Sequence, residues 1–516
     1  MKILEKRLLA YFVLAIVLII GFVLSINWYS GMGDNATYSD ISLNIARSGK
    51  SSSQVLSTII DYIFNEKIVE ATPEQIKNKE FPIIKSELNT LTFHFTPIQY
   101  LIAPLTKLMP VNIVWGNITG MSFVLMLAIG YAMLRRGGVP IILSLTIIIF
   151  MSLHPAWNDS LFGQIYVDRI FLFTSLALAY LVSSKKPKIQ YVAIFAILSC
   201  LIIEKMSIIT GIFLCLYALL YYKKIPIRTV LAFLFIGIVS GLFGFLIVKF
   251  YLNNDYYSSF LSISSILNYG NYLRTYPSAL TNLYTFLLTN LPLLLIAIFD
   301  WRASLIAITM MIPNILGNLG GAEKTGWVTH YHTTYFPFLI WAAIMGFTRF
   351  YNLGWIKKNI WARYLVIGFF GLFYLYPFIT SKTIRETWPL RSLWILQDYK
   401  RSNGKYANQI TKEKLIHDTI PIGSSVSAPE RYMIYLFQAY DVYYYPLGLD
   451  NTDFVVLDLD NDSKSLKYRG VYSYLGEEAN REIDTILLTR LKEKGYDIDH
   501  PTTYQNMAII ARINKE

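Results

Sequence analysis

Long apolar blocks alternate with short polar segments over the first 380 residues of the chain. Each block has roughly 15–24 residues, about the length of helix that crosses the ~30 Å hydrocarbon layer of a bilayer. The blocks are 8–29, 111–134, 139–153, 169–184, 188–203, 206–222, 229–252, 283–299, 303–317, 335–349 and 364–380. This pattern predicts a polytopic α-helical membrane protein with about 11 transmembrane helices. The first block follows a basic start but is too long for a cleaved signal peptide, and we interpret it as a retained signal-anchor.

The distribution of Lys and Arg predicts the orientation of these helices. With the N-terminus inside, the inner segments hold sixteen Lys and Arg residues and the short outer connections only five, as the positive-inside rule requires. We therefore expect a multi-pass protein of the cytoplasmic membrane with a cytoplasmic N-terminus. The same distribution accounts for the net charge of +12 without a nucleic-acid partner.

Residues 30–110 form a long first extracytoplasmic loop in this topology. The segment 51–65 has apolar residues at helical spacing, which predicts an amphipathic helix. The segment 95–110 is apolar but short and interrupted by proline, so we expect an interfacial or re-entrant helix. The alternative is that 95–110 crosses the bilayer, which would invert the topology of everything after it.

Residues 381–516 have the polar composition of a soluble domain, whereas residues 1–380 form the predicted transmembrane domain. Short β-patterned runs occur in VSAPE, DVYYYP, DFVVLDLD and MAIIARI, and the amphipathic segment EANREIDTILLTRLKEKG lies between the last two. This alternation predicts an extracytoplasmic α/β domain. It has no glycine-rich phosphate motif, and we assign it no nucleotide.

A few ionisable residues fall at the predicted outer edge of the membrane, where an unused charge would be costly. They are Asp34, Asp40, His94, His154, Asp159, Asp168, Arg169, Glu204, Lys205, Arg274, His330 and His332. Cations can hold a phosphate leaving group, and a carboxylate in a partly desolvated place can deprotonate an acceptor hydroxyl. Together they suit the handling of a lipid-linked phosphate.

The order and placement of several motifs resemble the GT-C superfamily of membrane glycosyltransferases, which use polyprenyl-phosphate-linked sugars. The motifs are DNATYSDISLNIARSG, FHFTPIQYLIAPL, SLHPAWNDSLF, IEKMS, THYHTTYFPFL and VSAPERYMIYLFQAYDVYYYP…TDFVVLDL. Within the superfamily, the chain looks most like a family of uncharacterised bacterial and archaeal membrane proteins. The resemblance covers most of the chain, from residue 34 to residue 459.

The resemblance implies a role for an acidic residue of the first outer loop as the catalytic base or as a metal ligand. Asp34 matches that position best, and Asp40 is the second catalytic candidate. His94 matches a histidine that precedes Ser/Thr-Pro in the closest family, and Glu204 falls where that family has Lys-Glu-Asp, although here the order is Glu204-Lys205-Met206. Asp34 is followed by Asn35, so the Asp-Glu motif of protein mannosyltransferases is absent.

The remaining candidates are assigned to substrate or phosphate binding. These are His94, Arg169, Glu204, Lys205, Arg274, His330 and His332. No cofactor is assigned with certainty; a divalent Mg²⁺ or Mn²⁺ ion at Asp34 is left open. Each residue also has a purely structural interpretation: Asp34 and Asp40 as helix-start residues, and Arg169 and Lys205 as side chains that extend from span ends to the interface.

The leading hypothesis is a glycosyltransferase that passes one sugar from a polyprenyl-phosphate donor to a cell-envelope acceptor on the outer face. The first alternative is a transporter or flippase, which would place ionisable residues near the bilayer midplane and often shows inverted repeats. The second is a non-catalytic scaffold whose tail binds an envelope protein.

Overall fold

A computed structural model describes most of the chain. It covers residues 3–27, 33–83, 88–162, 166–252, 277–316, 330–353, 388–401, 403–437, 441–460, 467–471 and 474–513, with the single residues 271, 274, 325, 358, 359, 361, 368 and 371.

The chain folds into two compact units. The first unit consists of Met1–Ser25, Leu91–Leu101 and Ile113–Trp394, and the second of Ile26–Thr90, Ile102–Asn112 and Ile395–Glu516. The second unit combines most of the first loop with the tail, a grouping that the local sequence patterns do not predict.

Helices make up most of the first unit and also occur in the second. In chain order, they are α1 (Ile3–Asn27), α2 (Gly33–Ser48), α3 (Gln54–Ile60), α4 (Pro73–Asn78), α5 (Thr90–Phe93), α6 (Gln99–Ile102), α7 (Val111–Arg136), α8 (Ile141–Ser152), α9 (Trp157–Phe162), α10 (Ile170–Val182), α11 (Ile189–Cys200), α12 (Glu204–Tyr221), α13 (Ile227–Leu246), α14 (Pro277–Ala297), α15 (Trp301–Leu316), α16 (Phe336–Tyr351), α17 (Trp388–Lys400), α18 (Lys405–Thr419), α19 (Glu430–Met433) and α20 (Glu477–Glu493).

Helices α1, α7, α8 and α10–α16 coincide with the predicted apolar blocks, apart from 364–380, which lies almost wholly outside the described residues. Four stretches of the described chain are long and apolar enough to cross a membrane: Val111–Arg136, Glu204–Lys224, Ile227–Tyr251 and Ser278–Leu316. Shorter apolar helices lie at Tyr11–Asn27, Ile141–Ser152, Ile189–Cys200 and Phe336–Tyr351. The chain is thus a helical protein with segments long and apolar enough to span a membrane, while the number of crossings stays a prediction.

Glycine allows two pairs of these helices to approach closely. A Cβ atom on Gly116 of α7 would lie 2.7 Å from the Gly21 carbonyl oxygen of α1. A Cβ on Gly211 of α12 would lie 2.6 Å from the Gly241 amide nitrogen of α13. Small residues at such crossings bring backbones into direct packing contact, which is how helices associate where lipid removes the hydrophobic driving force.

Polar contacts at the helix ends of the first unit fall into two sets. In one set, Arg135 Nε lies 2.8 Å from Glu5 Oε1, and Arg349 Nη2 lies 2.8 Å from Asp300 Oδ2. Each contact joins the end of one helix to the start of another, so α1 runs antiparallel to α7, and α15 to α16. The charge pattern assigned these residues to one side of the membrane. In the second set, His94 contacts Glu204 and Lys205 contacts Asp168, and the charge pattern assigns these residues to the other side of the membrane. Which side faces outward stays a prediction.

The sheet of the second unit has six strands: β1 (Ser425–Ala428), β2 (Asp441–Tyr444), β3 (Phe454–Asp460), β4 (Lys467–Arg469), β5 (Thr502–Tyr504) and β6 (Met507–Ala511). Its order is β2-β1-β3-β6-β5, and β4 also pairs with β3. β1 runs parallel to β2 and β3, and the other pairs are antiparallel. The predicted C-terminal sheet is confirmed. The predicted amphipathic helix is confirmed as α20, which buries Ile483, Leu487 and Leu491.

Segments of the first loop pack directly against the tail within the second unit. The Tyr62 and Tyr444 rings stack with their centroids 4.0 Å apart. Tyr406 Oη donates to Asn27 Oδ1 at 2.9 Å, and the Tyr474 amide donates to the Val69 carbonyl at 2.8 Å. These contacts join residues hundreds of positions apart, so the loop and the tail fold together.

Asp450 forms the strongest of these connections. Its carboxylate accepts two hydrogen bonds from Arg490, at 2.8 and 2.7 Å, and one from the Phe81 amide at 2.7 Å. Arg490 also donates to the Lys79 carbonyl oxygen. Burial raises the pKa of Asp450, but the hydrogen bonds from Arg490 and Phe81 and the charges of Arg490 and Lys494 outweigh it, and the net pKa is lowered.

We expect Asp450→Asn to destabilise the contact between residues 79–81 and the tail by about 2 kcal/mol, since it leaves the Arg490 charge without its carboxylate. Hydrogen exchange of the peptide containing Phe81 should accelerate by roughly 30-fold. Asp497→Asn is the control, because Asp497 pairs with the exposed His500 side chain. Equal exchange in the two variants would contradict the prediction.

The same contact should depend on pH in a defined direction. Because the pKa of Asp450 is lowered on folding, its stabilising contribution is present above the ordinary pKa of about 4 and is lost as the pH falls through the folded value. Exchange of the Phe81 peptide, corrected for intrinsic rates, should therefore differ between the wild type and Asp450→Asn at neutral pH and converge in acid.

Candidate functional site

The candidate residues predicted from the sequence fall in both units. Asp34 and Asp40 belong to the second unit. The other seven belong to the first unit: His94, Arg169, Glu204, Lys205, Arg274, His330 and His332.

His94 and Glu204 are in direct contact in the first unit. His94 Nδ1 lies 3.1 Å from Glu204 Oε1, and the Phe95 amide donates to Glu204 Oε2 at 2.9 Å. Glu204 is completely buried at the first position of α12, whereas the His94 side chain is 32% exposed. The Ile98 amide also donates to the Leu201 carbonyl at 2.8 Å. The segment 94–98 is thus fixed on the turn between α11 and α12.

Lys205, the next residue of α12, pairs with Asp168. Its Nζ lies 3.2 Å from Asp168 Oδ2 and 5.2 Å from the centre of the Tyr331 ring. Thr333 Oγ1 donates to the same Asp168 oxygen at 3.4 Å. Asp168 is 3% exposed, so its charge is held by the Lys205 ammonium and this hydroxyl rather than by bulk water.

Arg169 is also buried, at 2% exposure, immediately before α10 begins. Its guanidinium carbon lies 5.7 Å from the centre of the Tyr166 ring. Arg169 directly follows Asp168 in the chain and adds a second cation to the residues around the Asp168–Lys205 pair. Because Arg is always protonated in proteins, it suits an anionic ligand.

The 3₁₀ segment His330–Thr334 carries the histidine-rich motif and places Thr333 next to Asp168. His332 is buried, its Nδ1 lies 3.1 Å from Tyr335 Oη, and its ring stacks on Phe286 with centroids 6.0 Å apart. The contact with Tyr335 and the ring stack thus hold the His332 side chain in a fixed orientation. The side chain of His330 lies outside the described residues, as does that of Asp159, and Arg274 is exposed.

A series of contacts thus links residues of the first unit: His94 to Glu204, its chain neighbour Lys205 to Asp168, and Asp168 to Thr333. We call these five residues, together with Arg169, the charged network. Asp168 is predicted at the outer edge of the membrane but has no predicted role, and Thr333 is missed by the sequence patterns. The signal for Thr333 is its place in THYHTTYFPFL, next to His332; a threonine has no distinctive sequence pattern of its own.

Asp34 lies in the first turn of α2 and is half-buried. A carboxylate in the first turn interacts favourably with the helix dipole. Asp34 is the second residue of this helix, so it lies within the helix.

Asp40 is buried and holds the start of α3. Its Oδ2 accepts from Ser53 Oγ at 2.8 Å and from the Val55 amide at 3.3 Å, and its Oδ1 accepts from Asn44 Nδ2 at 3.1 Å. Ser53 in turn accepts from the Leu56 amide. Burial raises the pKa of Asp40, opposed by the Ser53, Val55 and Gln54 hydrogen bonds. These contacts cap the start of α3 and connect it to α2.

Within the described residues, no group of three or more His, Cys, Asp or Glu side chains is arranged to hold a metal ion. The charged network instead offers an ammonium and a guanidinium cation, one partly exposed imidazole and a hydroxyl donor at the ends of apolar helices. This set can bind a phosphate ester through charge-assisted hydrogen bonds.

No known protein family matches the chain, and none of the curated proteins is significantly similar to it. The resemblance to GT-C enzymes accordingly stays a prediction from the motifs.

The role of Asp40 as a helix cap can be tested by two substitutions. Asp40→Ala removes the acceptor from Ser53 and Val55, and we expect the start of α3 to lose about 1–2 kcal/mol. Asp40→Asn keeps one carbonyl oxygen and resembles the protonated acid that burial favours, so it should lose much less. Hydrogen exchange of the peptide 54–60 measures both, and equal losses would contradict the capping role.

Proposed function

We propose that this protein is a GT-C-like glycosyltransferase of the cytoplasmic membrane. It transfers one sugar from a polyprenyl-phosphate carrier to a glycan, lipid or protein acceptor of the cell envelope. The observation that supports this best is the charged network, in which one buried cation, one partly exposed cation and two buried carboxylates of the first unit lie at the ends of apolar helices.

The position of the network suits a lipid-borne substrate. Glu204 and Lys205 open α12, and Arg169 directly precedes α10. The start of a long helix carries unpaired amides and positive partial charge, which favours an anion. A phosphate whose polyprenyl chain lies in the hydrocarbon would meet these groups at the interface.

In this proposal, the cations bind the phosphate. Lys205 and Arg169 neutralise the charge that develops on the leaving phosphate when the sugar is transferred. Asp168, which also accepts a hydrogen bond from Thr333, holds Lys205 in place, so that this charge costs little reorganisation. The predicted cations Arg274 and His330 would add further contacts.

Asp34 is proposed as the base that takes the proton of the acceptor hydroxyl, with Asp40 supporting it through α2. This role is the one that the resemblance implies. The tail would select the acceptor, and a metal ion at Asp34 stays a separate proposal.

A transporter or flippase is the competing function. Such proteins place ionisable residues near the middle of the membrane, whereas the charged network lies at helix ends. Flux of a lipid-linked sugar across vesicles without a covalent product would favour transport.

Replacing Asp34 by Asn should lower transfer of sugar from a panel of polyprenyl-phosphate hexoses and pentoses by about 10²–10⁴-fold in kcat. The amide cannot accept the hydroxyl proton at neutral pH. Asp499→Asn, at an exposed position of the tail, is the matched control. Undiminished turnover by a folded Asp34→Asn protein would remove Asp34 from the mechanism.

Lys205→Ala should raise KM for the polyprenyl-phosphate donor by about tenfold or more, because a charge-assisted hydrogen bond to phosphate is lost. Lys188→Ala is the control: Lys188 also packs on a tyrosine ring, at 5.5 Å from the centre of Tyr191, but lies on the predicted inner side. An unchanged KM in Lys205→Ala would exclude this lysine as a phosphate ligand.

A further inference from the structure

The His94–Glu204 contact fixes which nitrogen of the imidazole can reach a ligand. Taking the Glu204 carboxylate as ionised, Nδ1 must be the donor in the 3.1 Å contact, because an ionised carboxylate has no proton to donate. Nε2 therefore points away from the buried carboxylate. Since the His94 side chain is 32% exposed while Glu204 is fully buried, the imidazole is the part of this pair that a substrate can meet, and Nε2 is its nitrogen that does not contact Glu204.

Glu204 is held too firmly to be a ligand itself. One oxygen faces His94 and the other accepts the Phe95 amide at 2.9 Å. The segment around His94 is held as well, because Phe95 packs edge-on against Phe243 and Tyr251, with centroids 5.8 and 5.6 Å apart. A carboxylate behind an imidazole fixes its orientation and tautomer and offsets the charge of the imidazolium.

We infer that His94 is a catalytic proton donor to the leaving phosphate and that Glu204 is its positioning residue. This inference rests on the proposed function and separates the roles of two residues that the sequence predicts only as phosphate ligands. Lys205, next to Glu204 in the chain, contributes charge to the same phosphate but no proton.

In this step, the bond between the sugar C1 and the bridging phosphate oxygen breaks, and its electron pair stays on that oxygen. The acceptor oxygen bonds to C1, and its proton passes to the general base of the reaction. The Nε2 proton of the His94 imidazolium passes to the departing phosphate. His94 is left neutral, with its Nδ1 proton still hydrogen-bonded to Glu204, and water restores the Nε2 proton through the exposed face.

Two substitutions of His94 separate the nitrogens. His94→Asn places an amide near Nδ1, which keeps a donor for Glu204 but offers nothing to a ligand. His94→Gln places an amide near Nε2, which can still donate to phosphate but cannot give up a proton. We expect His94→Asn to weaken binding of farnesyl phosphate to the full chain in detergent by at least about tenfold. His94→Gln should keep most of the binding and lose about 10²-fold or more in transfer.

The control is an exposed pair of the same geometry. His500 Nδ1 also lies 3.1 Å from a carboxylate, Asp497, but its side chain is 84% exposed. His500→Asn should change neither binding nor transfer.

Glu204 is tested by a spectroscopic signature that loss of structure alone would not produce. In ¹⁵N-histidine-labelled protein, the His94 signal, identified by its absence from His94→Gln, should show a protonated Nδ1. In Glu204→Gln, whose amide can donate to Nδ1, the neutral tautomer with the proton on Nε2 should dominate. An unchanged His94 tautomer in a folded Glu204→Gln protein would overturn the positioning role.

The outcomes distinguish this inference from the proposed function. Binding of farnesyl phosphate that depends on His94, without any sugar transfer, would leave the phosphate contact standing and overturn both the glycosyltransferase and the proton donation. Transfer that is unaffected in His94→Gln and His94→Asn would overturn the inference alone. Inorganic phosphate that competes as well as farnesyl phosphate would overturn the assignment to a lipid-linked phosphate.

Discussion

The charged network of the first unit depends on the burial of one carboxylate, that of Glu204. A charge buried at a helix start among apolar helices is tolerated only when its oxygens are hydrogen-bonded. The donors come from His94 and the Phe95 amide, more than a hundred positions earlier in the chain. The need to satisfy Glu204 therefore fixes segment 94–98 on the turn between α11 and α12. The same helix start places Lys205 against Asp168, so one local arrangement organises the whole charged network.

The second unit follows a similar rule with a different carboxylate. Asp450 binds Arg490 of the tail and the Phe81 amide of the first loop. The loop that carries Asp34 and Asp40 is thereby folded together with the tail rather than left as a connection between helices. Asp40 adds to this order within the loop, since it caps α3 through Ser53 and the Val55 amide. Glu204 thus orders the surroundings of His94 in the first unit, and Asp450 and Asp40 order the first loop in the second.

These roles change the interpretation of the acidic residues near the predicted outer face. Both carboxylate oxygens of Asp40 and of Glu204 are hydrogen-bonded. Asp40 therefore stabilises the contact between α2 and α3, and Glu204 holds the His94 side chain in place. Under the proposed function, Lys205 and Nε2 of His94 are the groups of the first unit best suited to a phosphate, because Asp168 holds Lys205 and Glu204 holds His94 through Nδ1. Functional side chains supported in this way need little reorganisation when charge develops on a substrate.

Local patterns in the chain were enough to locate the long apolar helices and much of the sheet in the tail, but not shorter or more polar helices such as α4, α9, α17 and α18. Apolar length and helical or alternating spacing are properties of neighbouring residues, and they identified α7, α12 and α13 as well as β1, β2, β3, β6 and α20. Short β4 and β5 were missed, since three residues carry too little pattern. The scarcity of ionisable residues in such segments also made His94, Glu204 and Lys205 candidates.

The pairing of these residues became visible only in the folded chain. His94 touches Glu204, Asp168 holds Lys205, and the loop and the tail form one unit. Each of these contacts joins distant positions, and each is set by which donors can satisfy a buried charge. No local spacing encodes that choice, because the donors lie wherever the packing of helices and strands brings them.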